Sequence, residues 1–353
     1  MSKVDRREAL GVLGVLGAAT VATLFAAPSV RAAQITPSVN LEVVAPELRP
    51  AVVQMMDTLR TMPAFSTAGL PALRASGAKW SQPPLPNIPW EKRVIPRIAG
   101  NPDVTIYVIN AKPGRKSGGI LYMHGGGFVF GQASLEIKRS QELAGVLDCT
   151  IVSVEYRLAP EARYAQSLED NYAALKWLYQ HGAEIGVDPS RITVLGESAG
   201  GGHAALLSIA ARDRGEVPVA FQCLVYPMLD DRTGTTRAVP PALGQILWTA
   251  KENAFGWSSF LGRTPGGALR SGVPAREPNV SGLPPTWIGV GGIDLFMLED
   301  VHFAERLLSA AVPTELLVVP GAFHGFDLAA ADTNIAKRFT ASKVDALRRA
   351  LTA

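Results

Sequence analysis

The stretch that decides the fold is Arg191-Ile192-Thr193-Val194-Leu195-Gly196-Glu197-Ser198-Ala199-Gly200-Gly201-Gly202-His203. Arg191–Leu195 reads as an apolar strand, and Ala199–Arg212 carries the periodicity of an apolar helix. Gly196-Glu197-Ser198-Ala199-Gly200 therefore fits the G-x-S-x-G pattern in the strand–turn–helix setting that gives it meaning. Its glycines permit a tight turn, which lifts the Ser198 hydroxyl clear of the sheet. The next N–H, of Ala199, opens a helix, where developing negative charge is favoured. Ser198 reads as a nucleophile.

Working toward the N-terminus, His124-Gly125-Gly126-Gly127-Phe128 follows the apolar run Gly119–Met123. Three successive glycines cost backbone entropy on folding. Their use here is to bring bare N–H groups close to a ligand oxygen, the second half of an oxyanion hole.

Toward the C-terminus the serine needs a base and an orienting acid. Of the five histidines, His124 lies in the glycine loop, and His181 ends a helix before Gly182. His203 lies about 140° around the helix from Ser198, and His302 sits inside an amphipathic helix. His324, in Ala322-Phe323-His324-Gly325-Phe326, lies in a loop at the carboxyl end of a strand, where open parallel sheets carry their sites. The acid should fall between serine and histidine in the chain. Asp294 follows the strand ending at Gly291-Gly292. Asp230 and Asp231 compete with it, whereas a solvated helix face accounts for Glu299 and Asp300.

Around these segments the chain alternates apolar runs with helical periodicities. The runs are 103–110, 119–124, 149–155, 192–195, 219–226, 286–291 and 314–319. The helical stretches are 135–146, 166–181, 199–212, 298–311 and 335–351. Such alternation implies βαβ units and a mainly parallel α/β sheet of about eight strands, with helices on both faces. The catalytic domain then spans 91–228 and 284–353. Residues 33–90, helical at 46–61 and proline-rich at 83–89, and the insertion 229–283, with a helix at 243–255, fall outside that rhythm. Long connections of this kind are often functional, and both segments read as a helical cap.

Composition narrows the class. Of 353 residues, 47% are hydrophobic and 18% charged, enough to bury a sizeable core and too apolar for disorder. Residues 1–32 resemble an export signal: Arg6-Arg7, an uncharged run from Leu10 to Ala27, and Val30-Arg31-Ala32 as a cleavage site. The arginine pair resembles a twin-arginine address, although Ala9 and Gly11 depart from that motif. The competing reading is an uncleaved anchor helix. Removing the segment takes four basic residues (Lys3, Arg6, Arg7, Arg31) and two acidic ones (Asp5, Glu8) from 34 and 31, leaving a net of +1. That balance argues against a nucleic-acid partner. No second span follows, so no membrane contact is expected once the signal is gone. The expected location is periplasmic or secreted. Cys149 and Cys223, each in an apolar run, read as buried free thiols. Their spacing with histidine offers no metal site, and the chemistry needs no cofactor.

Taken together, HGGGF (124–128), EYRLAPE (155–161), DPSRI (188–192), GESAGG (196–201), YPMLDDR (226–232) and HGF (324–326) resemble the hormone-sensitive-lipase family of bacterial esterases, within the α/β-hydrolase fold. The resemblance covers 119–327. It implies a serine carboxylesterase with Ser198, Asp294 and His324 as triad and the N–H groups of Gly125, Gly126 and Ala199 as oxyanion hole. Its partner would be a small-molecule ester, with an oligomer left open. Glu197 replaces the aspartate common before the family's serine, and Leu295 the proline often found after its acid. An amidase or sugar-ester deacetylase on the same triad is the alternative, a non-catalytic binding relative a remoter one. The rings of Phe65, Trp80, Trp90, Trp248, Phe255 and Trp257 are expected to fill the space above Ser198. Acyl chains of about two to eight carbons follow from a closed pocket of ordinary volume.

Overall fold

A computed structural model describes residues 39–77, 81–96 and 102–352. The expected export segment and Trp80 lie outside the described residues. Eight strands form one sheet: β1 (Trp90–Ile95), β2 (Val104–Ile109), β3 (Ser117–Met123), β4 (Thr150–Glu155), β5 (Val187–Glu197), β6 (Phe221–Val225), β7 (Thr286–Gly291) and β8 (Thr314–Val319). Their order is β1-β2-β4-β3-β5-β6-β7-β8. β2 runs antiparallel to both of its neighbours, β1 and β4, and every other pairing is parallel. The helices are α1 (Arg49–Thr61), α2 (Leu70–Gly77), α3 (Ile137–Leu147), α4 (Tyr164–His181), α5 (Ala199–Arg214), α6 (Ala250–Leu261), α7 (Met297–Ser309), α8 (Phe326–Ala329) and α9 (Asn334–Thr352).

The strands are apolar throughout because both faces of the sheet are covered. Successive side chains point to opposite faces. Ile106, Val108 and Leu121 therefore join one core with α4, α5 and α7, while Tyr107, Ile109 and Ile120 join another with α1, α3 and α9. A third apolar cluster joins the segment before the sheet to the insertion: Leu70 and Leu73 of α2 pack with Phe128, Val129, Trp248, Trp257, Leu295 and Phe296.

Three expectations change. The strand at Trp90–Ile95 was not among the expected apolar runs. Trp90 is 41% exposed at the sheet edge, its ring 6.1 Å from that of Tyr107, and so does not lie above Ser198. The helix expected at 243–255 instead occupies Ala250–Leu261, capped by Thr249 and ended by Gly262 at φ 63°. Residues 243–248 have other partners. The Gly244 N–H donates to Ile293 O at 3.0 Å, Leu247 takes φ 65°, and the Trp248 ring abuts Gly127.

Candidate active site

Ser198 sits between β5 and α5 with φ 56° and ψ −121°. A side chain held there costs about 1–3 kcal/mol, so its surroundings must impose the conformation. They do so through backbone. The Ser198 N–H donates to Val225 O at 2.9 Å, and Ser198 O accepts from Gly202 and Met228 at 3.1 and 3.0 Å. Close approach explains the flanking glycine: a Cβ at Gly200 would lie 2.1 Å from Met123 O. The turn exists because nothing larger fits.

β7 and β8 deliver the other two residues named from the sequence. His324 Nε2 lies 2.9 Å from Ser198 Oγ, and His324 Nδ1 lies 2.8 Å from Asp294 Oδ2. A carboxylate only accepts, so Nδ1 carries the proton and Nε2 is left to accept from the serine. The second Asp294 oxygen accepts the Phe296 N–H at 2.9 Å, which fixes the carboxylate plane. The rings of Tyr226 and Phe296 flank the imidazole at 4.7 and 5.1 Å. Tyr226 OH in turn donates to Asp327 Oδ1 at 2.9 Å. All three residues of the chain are buried.

The glycine loop lies beside the serine. A Cβ at Gly125 would sit 3.4 Å from Ser198 Cβ, and one at Gly126, where φ is +124°, would strike Phe130 O at 2.0 Å. Among the described residues, neither N–H donates to a carbonyl. His124 does work here that its sequence position did not reveal. Burial pushes it down to about 4, so it is neutral near pH 7. Its Nδ1 lies 2.7 Å from Gly125 O. In a planar trans peptide, holding that carbonyl aims the Gly126 N–H the opposite way. The Tyr156 hydroxyl braces the same histidine by donating to its carbonyl at 2.6 Å.

A model of the α/β-hydrolase fold family matches residues 120–328, more than half of the sequence. The chain belongs to the α/β-hydrolase fold family. Two Mycobacterium tuberculosis enzymes resemble this hydrolase. The esterase LipI is 36% identical over 211 residues, 59% of this chain, and the match spans just under two thirds of LipI, 65%. The carboxylesterase NlhH is 32% identical over 325 residues, covering 88% of this chain and 98% of NlhH. Among solved structures, a bacterial heroin esterase superposes with a TM-score of 0.78 at 34% identity, covering 89% of this hydrolase and 99% of that chain. Esterase LipW from Mycobacterium marinum gives 0.74 at 30%, covering 88% and 96%.

The two rival acids have partners other than His324. Asp230 pairs with Arg232 and Arg237, and Asp231 with Arg276. Glu299 and Asp300 correct the sequence reading, because both are buried. Glu299 turns inward to accept the N–H groups of Leu229 and Asp230 at 2.7 and 3.1 Å. Neither Asp300 oxygen has a hydrogen-bond partner among the described residues. Burial, then the neighbouring carboxyl groups, push Asp300 well above the usual carboxylate range.

Glu197 is buried behind the nucleophile yet ion-paired. Arg139 Nη2 bonds one of its oxygens, and Lys343 Nζ lies 3.4 Å from the other. Burial alone would raise this carboxyl; the Arg139 guanidinium and then the Lys343 ammonium outweigh it and hold the group at about 2. His203 packs among Phe128, Tyr156 and Phe260, and neither ring nitrogen has a hydrogen-bond partner among the described residues. Cys149 and Cys223 are free and buried. Among the described residues, no group of three His, Cys, Asp or Glu side chains could hold a metal ion, and no helix is long and apolar enough to cross a membrane.

Proposed function

We infer that this hydrolase is a serine carboxylesterase acting on small carboxylic esters through an acyl-enzyme. The observation that carries the reading is the continuous chain from Ser198 Oγ through His324 to Asp294, beside two undonated glycine N–H groups. His324 Nε2 takes the serine proton as Oγ attacks the ester carbonyl. The tetrahedral oxyanion is held by the N–H groups of Gly125, Gly126 and Ala199, with one such donor worth about 3 kcal/mol. Asp294 keeps the imidazole in the required tautomer and stabilises the imidazolium. His324 then protonates the departing alcohol. Water repeats the sequence on the acyl-enzyme and releases the acid.

The segments 33–90 and 229–283 act as the cap in this reading. Leu247 and Trp248 press on the loops of His324 and of the glycines: a Cβ at Gly325 would meet Leu247 Cδ2 at 3.1 Å, and one at Gly127 would meet Trp248 Cη2 at 2.1 Å. Phe65 closes edge-on against Trp248 and Phe130, at 5.3 and 5.5 Å. This roof supports acyl chains of about two to eight carbons. Residues 1–32 serve as a cleaved twin-arginine export signal, placing the enzyme in the periplasm or outside the cell.

Rates over p-nitrophenyl esters from acetate to palmitate, with Ser198→Ala beside the native enzyme, test the reading. The expected result is a maximum at short chains and a loss of several orders of magnitude in the variant. Near-native turnover by Ser198→Ala removes the nucleophile assignment, and rates that keep rising to palmitate remove the closed roof. Arg6-Arg7 replaced by Lys-Lys should leave active enzyme in the cytoplasm; unimpaired export removes the twin-arginine route.

A further inference from the structure

We propose that Arg74, on α2 and far from Ser198 in sequence, is a positioning residue for the oxyanion loop. This inference rests on the carboxylesterase reading above and adds a residue from the N-terminal segment to it. The Arg74 side chain makes four hydrogen bonds to three targets. Nε donates to Val129 O at 2.8 Å, and Nη2 to Ala159 O at 2.8 Å. Nη1 and Nη2 also donate to the two Glu161 oxygens, each at 2.8 Å. Only a planar guanidinium presents donors in this fixed fork.

Val129 is the decisive partner. Its N–H and that of Phe130 both donate to Gly126 O at 3.0 Å, closing the turn that gives Gly126 its φ of +124°. The preceding carbonyl, of Phe128, accepts the Ala159 N–H at 2.9 Å. Two consecutive carbonyls of the turn are thus tied down, one by the loop around Ala159 and one by Arg74, which also grips that loop. Leu70 and Leu73 seat the helix against Phe128 and Val129, so the guanidinium arrives from a packed surface. Released from Arg74, the turn no longer braces the Gly125–Gly126 peptide from its downstream side; His124 is left to hold that plane from the other, and the Gly126 N–H drifts from the oxyanion position. Docking of α2 then completes the catalytic loop as well as covering it.

The test uses the full-length enzyme with Arg74→Ala, Arg74→Lys and Glu161→Gln. Active sites are counted by fluorophosphonate titration of Ser198. The substrates are a p-nitrophenyl ester and its thionoester, in which sulfur replaces the carbonyl oxygen. Arg74→Ala is expected to lower kcat per active site by about 10- to 100-fold with KM nearly unchanged, because a misplaced donor costs up to the effect of a deleted one. The preference for oxygen over sulfur should fall with it, since that preference reads the oxyanion hole. Arg74→Lys keeps the charge but not the fork, and should resemble Arg74→Ala. Glu161→Gln keeps both carbonyl contacts and should stay within about threefold of native, as exposed ion pairs contribute little.

A merely structural arginine would lower the number of active sites and leave the oxygen-to-sulfur preference intact, and that outcome overturns the proposal. So does native kcat in Arg74→Lys, which also serves if the alanine variant does not fold. Failure of the underlying reading is separate: native enzyme and Ser198→Ala would then hydrolyse the ester equally.

Discussion

Two buried carboxyl groups stand directly behind the two ends of the catalytic chain, and their surroundings treat them in opposite ways. Glu197, one residue before the nucleophile, meets Arg139 and Lys343 and is held at about 2. Asp300, on the helix that follows Asp294, meets no cation and no hydrogen-bond donor among the described residues and is pushed well up. Burial opposes ionisation in both cases. What differs is whether a positive partner was buried too. The nucleophile end is braced by ion pairs, and the acid end is packed around a carboxyl that burial pushes away from ionisation.

The sharpest division of the acid end is kinetic. Asp294→Asn should lower kcat by about 10³- to 10⁴-fold, because the amide reverses the imidazole tautomer. Asp300→Asn should leave kcat within about threefold of native. Steady-state rates on p-nitrophenyl acetate check both, and a severe Asp300→Asn defect would move Asp300 into the catalytic chain. At the nucleophile end, Glu197→Gln leaves two cations facing a neutral group. A fully buried pair broken this way costs about 3–5 kcal/mol, so about 2–3 kcal/mol is expected here because Arg139 is partly exposed. A urea midpoint equal to native would show that the ion pairs contribute nothing net.

A smaller effect separates charge from packing in the aromatic cluster behind the glycine loop. Burial lowers His203 to about 3 and His124 to about 4, below the ordinary value near 6.5. A group depressed on folding contributes its full stability above the unfolded pKa and loses it as pH falls. Native enzyme should therefore weaken from about pH 6.5 down toward pH 4. His203→Phe keeps a ring in the stack and sacrifices no hydrogen bond. It should change stability at pH 7 by about 1 kcal/mol or less and move the acid-unfolding midpoint to lower pH. An unmoved midpoint would place the acid sensitivity elsewhere.

The same contrast explains what could be read from the chain. Ser198 and the glycine loop were legible because a tight turn and a bare N–H leave glycines at fixed offsets. His324 and Asp294 followed from lying just beyond apolar strands, where only a loop can face the serine. The βαβ alternation gave the parallel sheet for the same local reason. Glu299 and Asp300 were misread because helical periodicity cannot see what covers a face: Leu229 and Asp230, some 70 residues earlier, bring the N–H groups that turn Glu299 inward. Residues 243–248 have helical spacing, yet Gly244 and Trp248 are claimed by Ile293 and the glycine loop. Arg74 carries no local signal at all, since its acceptors are two backbone carbonyls 55 and 85 residues away and the Glu161 carboxylate 87 away.

The Lys343 contact with Glu197 also orders events in time. Lys343 lies on α9, 146 residues after its partner, so β6, β7 and β8 are all synthesised before that ammonium exists. Until then the nascent sheet must carry Glu197 with Arg139 alone, and His324 has scarcely been made. A fully braced nucleophile therefore waits for α9: a chain truncated ahead of it yields a serine whose neighbouring carboxylate lacks one of its two cations.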